Sequence, residues 1–190
     1  MKHTLVAYVE DKPGVLNRVV SLFRRRAFNI DSLTVGRTET EGVSRMTMVV
    51  DTDELGIARV EANLYKLVNV LRVDDVTHRK PIMRDLALVK VNTSGTNRAE
   101  VLLLCQAYEG KLVDITSTSV VIEVTGPPEK IDSFISLMEP FGIIESVQTG
   151  VVAMARGAEA VTVNPPLVEA VAETNGQPSC DGGLMLSHSV

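Results

Sequence analysis

Residues 9–33, VEDKPGVLNRVVSLFRRRAFNIDSL, hold the punctuation that decides the fold. An apolar run, TLVAYVE at residues 4–10, enters this stretch and stops at Asp11-Lys12-Pro13-Gly14. A run of that kind bounded by turn residues reads as a strand. Pro13 suits the first position of a helix and Asp11 suits its cap. Leu16, Val19, Val20 and Phe23 then follow helical spacing, with Asn17, Arg18, Ser21, Arg24 and Arg25 on the opposite face. Beyond Asn29 the pattern turns β-branched again, and residues 30–38 (IDSLTVGRT) read as a second strand.

Working outward, Glu39-Thr40-Glu41-Gly42 is a hairpin turn and Val43–Val50 a third strand, in which Met46 and Met48 alternate as core residues. Thr52 or Asp53 caps a second helix that sets Ile57, Val60, Leu64 and Leu67 on one face, and Val70–Val76 is a fourth strand. The order is βαββαβ. It returns after a join near His78–Asp85: strand Leu86–Asn92, a helix around Val101, Leu102, Leu104 and Cys105, and strands Leu112–Thr116 and Val120–Thr125. Pro127-Pro128 opens a helix through Ile131, Phe134, Ile135 and Met138. Pro140-Phe141-Gly142 ends it before a last strand at Ile143–Val147.

The expected fold class is α+β: two ferredoxin-like βαββαβ units, each a four-stranded antiparallel sheet with both helices on one face, at residues 1–78 and 84–157. That packing leaves the other face of each sheet open, so apolar residues there need a second unit or a second chain; a homo-oligomer follows. Residues 158–190 are punctuated by Pro, Gly and Ser and read as a disordered tail with a weak helical turn at Leu167–Ala172.

The 190 residues are 45% hydrophobic and 23% charged, ordinary for a globular protein with a real core. The net charge of −5 is unevenly placed. Residues 158–190 hold four acids and no Lys or Arg, which leaves 20 acids against 19 bases in residues 1–157. Nothing in this balance draws the chain to nucleic acid or to an anionic membrane. No N-terminal stretch reads as a signal peptide, and no apolar run reaches the ~20 residues that span a bilayer. Two cysteines make no disulfide framework: Cys105 fits a buried hydrophobe and Cys180 an exposed thiol. A cytoplasmic protein is expected.

The Asp11–Leu16 loop carries the chemistry. A helix that starts near Gly14 leaves backbone N–H groups unpaired at its N-terminus, where the helix dipole favours a small anion such as a carboxylate. Gly14 lets a ligand approach the backbone, and Asn29 offers both donors and an acceptor to a free amino acid. Val15, Leu16 and Ile30 are placed to surround an aliphatic side chain. Plainer readings stand beside this one. Pro-Gly before a helix is ordinary turn chemistry, Asn29 suits a helix C-terminus, and Arg24-Arg25-Arg26 suits a solvated face.

The residues carry a resemblance. VEDKPGVLNRVVSLFRRRAFNIDSLTV, then SRMTMVV and LYKLVNVLRVDDVT, with LALVKV in the second half, resemble the small regulatory subunits of acetolactate synthase, also called acetohydroxyacid synthase. The first half is similar to an ACT domain, an amino-acid-sensing module, and the match covers roughly residues 3–157. The resemblance implies a subunit with no active site and no cofactor of its own. It implies a large catalytic partner that carries thiamine diphosphate, magnesium and FAD, and feedback inhibition by a branched-chain amino acid, usually valine. It further implies a homodimer through the ACT domain, with the effector where two chains meet. Asp11, Gly14, Val15 and Leu16 come from one chain, Asn29 and Ile30 from the other. Asp11 stands where such subunits often have Asn, and an acid there favours a ligand ammonium over a nearby carboxylate.

Other readings are a sensing regulator of a different enzyme, and an RNA-binding module, since the RRM shares the βαββαβ order. The latter needs aromatics on its sheet and a basic surface, whereas aromatics are 4% of residues and Val43–Val50 has none. An enzyme is disfavoured: the chain has no Ser/His/Asp grouping, Cys/His cluster, phosphate loop or C-x-x-C.

Overall fold

The structure is a computed structural model and describes residues 1–95 and 97–157. The expected disorder of residues 158–190, the turn at Leu167–Ala172 and the exposure of Cys180 lie outside them. The first unit runs β1 (Lys2–Glu10), α1 (Val15–Arg25), β2 (Ile30–Arg37), β3 (Val43–Asp51), α2 (Glu54–Leu64) and β4 (Val70–Asp75). Its sheet has the order β2-β3-β1-β4 and is antiparallel throughout. A 3-10 turn at Thr77–Arg79 leads to the second unit: β5 (Ile82–Asn92), α3 (Arg98–Ala107), β6 (Lys111–Ile115), β7 (Ser119–Gly126), α4 (Pro128–Met138) and β8 (Ile143–Gln148), in the order β6-β7-β5-β8. Both are ferredoxin-like, as the repeated pattern requires.

Each unit buries its helices on one sheet face. Leu5, Ala7 and Val9 of β1 and Met46, Met48 and Val50 of β3 pack against Val15, Val19 and Phe23 of α1 and Ile57, Val60 and Leu64 of α2. The second core repeats this with Ala87, Val89, Val91, Ile122 and Val124 against Val101, Cys105, Ile131, Phe134 and Met138. Burial pushes the Cys105 thiol up from its ordinary pKa, which disfavours the thiolate and suits a packing role. Asp53 caps α2 through the Gly56 N–H at 2.7 Å. Gly42, at φ +76, closes the β2–β3 hairpin.

Three details of the sequence reading change. First, Asp11 does not cap α1 and Pro13 is not its first residue. Gly14 is the N-cap, in the left-handed region at φ 84, with no side-chain cap. Second, the buried stripe of α1 is Val15, Val19 and Phe23, whereas Leu16 and Val20 remain 43% and 40% exposed. At 100° per residue they occupy the flank opposite Arg18, Leu22 and Arg25, which line a groove against α2. Third, the join is shorter than His78–Asp85. β5 starts at Ile82, and its first residues pair with a further strand, β9 (Val152–Met154).

That extra pairing covers part of the first sheet's outer face. Val6, Tyr8, Val43 and Val76 form a small core with Ala153, and Met83 packs against it. Arg45 stacks over the Tyr8 ring at 5.7 Å and donates a hydrogen bond to the Ala153 carbonyl. The second sheet's outer face keeps Leu88 and Val121 half-buried and Val147 exposed.

Candidate effector site

The six predicted site residues fall into two groups at opposite ends of the first sheet. Glu10 pairs with Val43, and the Asp11 N–H donates to the Gly42 carbonyl at 2.8 Å, so the Asp11–Leu16 loop lies at the β2–β3 hairpin end. Asp11 Oδ2 faces Arg37 Nε at 3.8 Å there. Ile30 pairs with Val50, which in turn pairs with His3. Asn29 and Ile30 therefore sit at the other end, about seven strand residues or roughly 23 Å away. One chain brings Asp11, Gly14, Val15 and Leu16 together and keeps Asn29 and Ile30 apart from them. Two surface cavities, of about 550 and 430 Å³, are lined by none of the six.

Each group keeps usable polar atoms. The N–H groups of Leu16 and Asn17 have no partner among the described residues, while Val15 N–H reaches the Lys12 carbonyl at 3.3 Å. Gly14 has open space where a Cβ would stand. Val15 itself is buried in the core, so it backs this loop rather than lining it. Asn29 is exposed and donates through Nδ2 to Asp31 Oδ1 at 3.0 Å, which leaves its carboxamide oxygen free. Arg24, Arg25 and Arg26 are exposed, as a solvated face would be.

Sequence reasoning missed a second layer behind the loop. Arg18 Nη1 donates to Asn69 Oδ1 at 2.5 Å, and Asn69 Nδ2 donates to Glu10 Oε2 at 2.5 Å. Lys12 Nζ lies 3.2 Å from the same carboxylate. Asn69 sits in the LVNVLRV stretch, where a lone polar residue among apolar neighbours was the available signal. The network ties the first turn of α1 to the end of β1 and to the entry of β4.

Glu10 is held below its ordinary carboxylate pKa, chiefly by the Asn69 amide and then by Lys12 and Arg18, with burial opposing. A carboxylate depressed in the folded state adds stability above its unfolded pKa, about 4.3, and loses it as pH falls through the lower folded value. The urea midpoint of Asn69→Ala is therefore expected to trail the wild type most near neutrality. The gap should narrow in acid; a gap constant with pH would contradict the coupling.

The outer face of the first sheet offers no exposed β1 aromatic for a base to stack on. Tyr8, its aromatic on β1, is buried beneath the β9 contact. No helix among the described residues is long and apolar enough to cross a membrane, which says nothing of β-barrels.

Known proteins match both units. The family model described as the AHAS small subunit-like ACT domain matches residues 5–72, and that described as the small subunit of acetolactate synthase matches residues 84–157. The acetolactate synthase small subunit of Mycolicibacterium smegmatis is 43% identical over 84% of this chain and 94% of its own length. A probable acetolactate synthase small subunit of Archaeoglobus fulgidus is 45% identical over 83% of this chain and 98% of its own. The crystal structure of the acetolactate synthase small subunit from Thermotoga maritima superposes with a TM-score of 0.77 at 36% identity, covering 84% of this chain and 99% of that one. With nearly the full length of these relatives matched and both βαββαβ units accounted for, the chain belongs to the acetolactate synthase small-subunit family.

Proposed function

We propose that this chain is the regulatory subunit of acetolactate synthase: it binds the large catalytic subunit, raises its activity and makes it sensitive to valine or another branched-chain amino acid. The match across both units carries this reading. Thiamine diphosphate, magnesium and FAD belong, on this reading, to the catalytic partner, and this chain works in the cytoplasm without a cofactor.

The separation of the two half-sites supports an effector site shared between two chains. β2 is an edge strand, with one row of backbone groups unpaired among the described residues. Antiparallel pairing of two β2 edges about a two-fold axis sets the Asn29 end of one chain beside the Arg37 end of the other. The Asp11–Leu16 loop lies at that Arg37 end. The same step covers Leu16 and Val20, and also Val35, which is 43% exposed on β2. An effector carboxylate then meets the free N–H groups of Leu16 and Asn17, and its ammonium meets Asp11 and the Asn29 oxygen. Leu16 and Ile30 take the aliphatic side chain.

Control follows if the effector binds one arrangement of the paired sheets more tightly than another, and that arrangement alters contacts with the catalytic subunit. The test is an acetolactate-formation assay of a purified catalytic subunit with and without this chain, followed by addition of valine, leucine or isoleucine. A higher rate with the chain, lowered by at least one amino acid, is expected. A rate indifferent to the chain would end the regulatory reading.

A further inference from the structure

We propose that His3, Glu54 and His78 form a binding site for a divalent transition-metal ion of zinc's class. His3, on β1, alternates with Leu5, Ala7 and Val9 and so faces the helices; it is fully buried. Neither of its ring nitrogens has a hydrogen-bond partner. A buried imidazole without a partner is unfavourable, and packing alone asks only for an apolar residue there. Glu54 opens α2, and His78 lies in the 3-10 turn that leads into the second unit. One ligand atom from each of the three lies within 4.8 Å of the other two.

The chemistry and spacing suit zinc. Two imidazoles and a carboxylate make a mixed nitrogen and oxygen set, leaving a fourth position for water. Zinc bonds near 2.0–2.1 Å in a tetrahedron imply a ligand-to-ligand edge of about 3.4 Å. His78 Nε2 and Glu54 Oε1 are 3.4 Å apart. Their side chains are 64% and 67% exposed, so an ion has an open approach and both can adjust toward His3. Asp75 Oδ2 lies 3.5 Å from His3 Nδ1, the arrangement that orients a metal-ligating imidazole. Its other oxygen is occupied by the Thr77 N–H at 2.9 Å and the Thr77 hydroxyl. The bland alternative, a His78–Glu54 surface pair with His3 Nδ1 beside Asp75, still leaves His3 Nε2 buried without any polar partner.

A bound ion would fasten the start of β1 and the N-terminus of α2 to the turn between the units. The site stands apart from the regulatory reading, because its ligands include none of the effector residues. The test uses the full chain after chelator dialysis, titrated calorimetrically with Zn²⁺ and spectroscopically with Co²⁺. One equivalent per chain is expected, with a Tm that rises with Zn²⁺ and a visible tetrahedral Co²⁺ band. His78→Ala and Glu54→Ala, both at exposed positions, should keep the circular dichroism spectrum and lose saturable binding. Asp75→Asn, a positioning change, should weaken it about 10–100-fold. Absence of saturable binding in the wild type, or binding undiminished in His78→Ala, would overturn the proposal. So would a thiolate charge-transfer band from Co²⁺, which would assign the ion to Cys105 or Cys180.

Discussion

A Gly14→Asp variant is expected to fold, and to show none of the rise in Tm that the proposed effector site predicts for the wild-type chain with valine or another branched-chain amino acid. Gly14 has φ +84, a conformation that costs most residues about 1–2 kcal/mol and that Asp tolerates better than most. No heavy atom lies within 4 Å of an added Cβ, so no clash adds to that. The new carboxylate stands at the N-cap, beside the unpaired amides of the first turn. The same carboxylate occupies and repels the place assigned to the effector's own. At a hundredfold excess over its Kd a ligand stabilises the wild type by about 2.7 kcal/mol, so complete loss is easily read by thermal unfolding. An undiminished shift would remove the effector from this loop, while leaving membership of the family untouched.

The larger effect on stability is expected at Phe23. This side chain is 1% exposed and fills the space between α1 and the first sheet, meeting Phe28 edge-on with ring centres 6.4 Å apart. Phe23→Ala deletes a ring whose neighbours on β1 and β3 are fixed by ladder hydrogen bonds and cannot close the gap. A loss of about 3–5 kcal/mol is expected, against a total near 5–15 kcal/mol for a domain of this kind. Urea unfolding measures it. Leu103→Ala, on the exposed face of α3, is the control, since a surface change of that sort stays within about 0.5 kcal/mol. Equal midpoints for the two variants would show that the first core is not where α1 gains its stability.

The repeated βαββαβ order was legible because each element carries its own short-range signal. Period-two apolar runs marked the strands, and Ile57, Val60, Leu64 and Leu67 marked α2 at helical spacing, although the helix ends at Leu64 and leaves Leu67 beyond it. Pro127-Pro128 and Gly42 fixed a helix start and a hairpin. Where a signal was ambiguous, tertiary contacts decided. Leu16 and Val20 share helical spacing with Val19 and Phe23, yet the sheet lies under Val15, Val19 and Phe23, so the stripe turned by about 50°, half a residue's rotation.

What the sequence by itself determined is local: two split βαβ units, their core faces, and a glycine at a helix mouth followed by Asn-Ile where the next strand starts. The tertiary structure alone decided what meets across long separations. Val152–Met154 is too short to show a period, and only pairing with Ile82–Arg84 makes it a strand over the first sheet. Glu10, Arg18 and Asn69 join, as do His3, Glu54 and His78, because strands and helices return to one place from distant parts of the chain. The half-sites at Gly14 and Asn29 part for the same reason, since the rigid α1 between them spans about 16 Å. Periodicity reports which way a side chain faces; only the packed chain sets its neighbour.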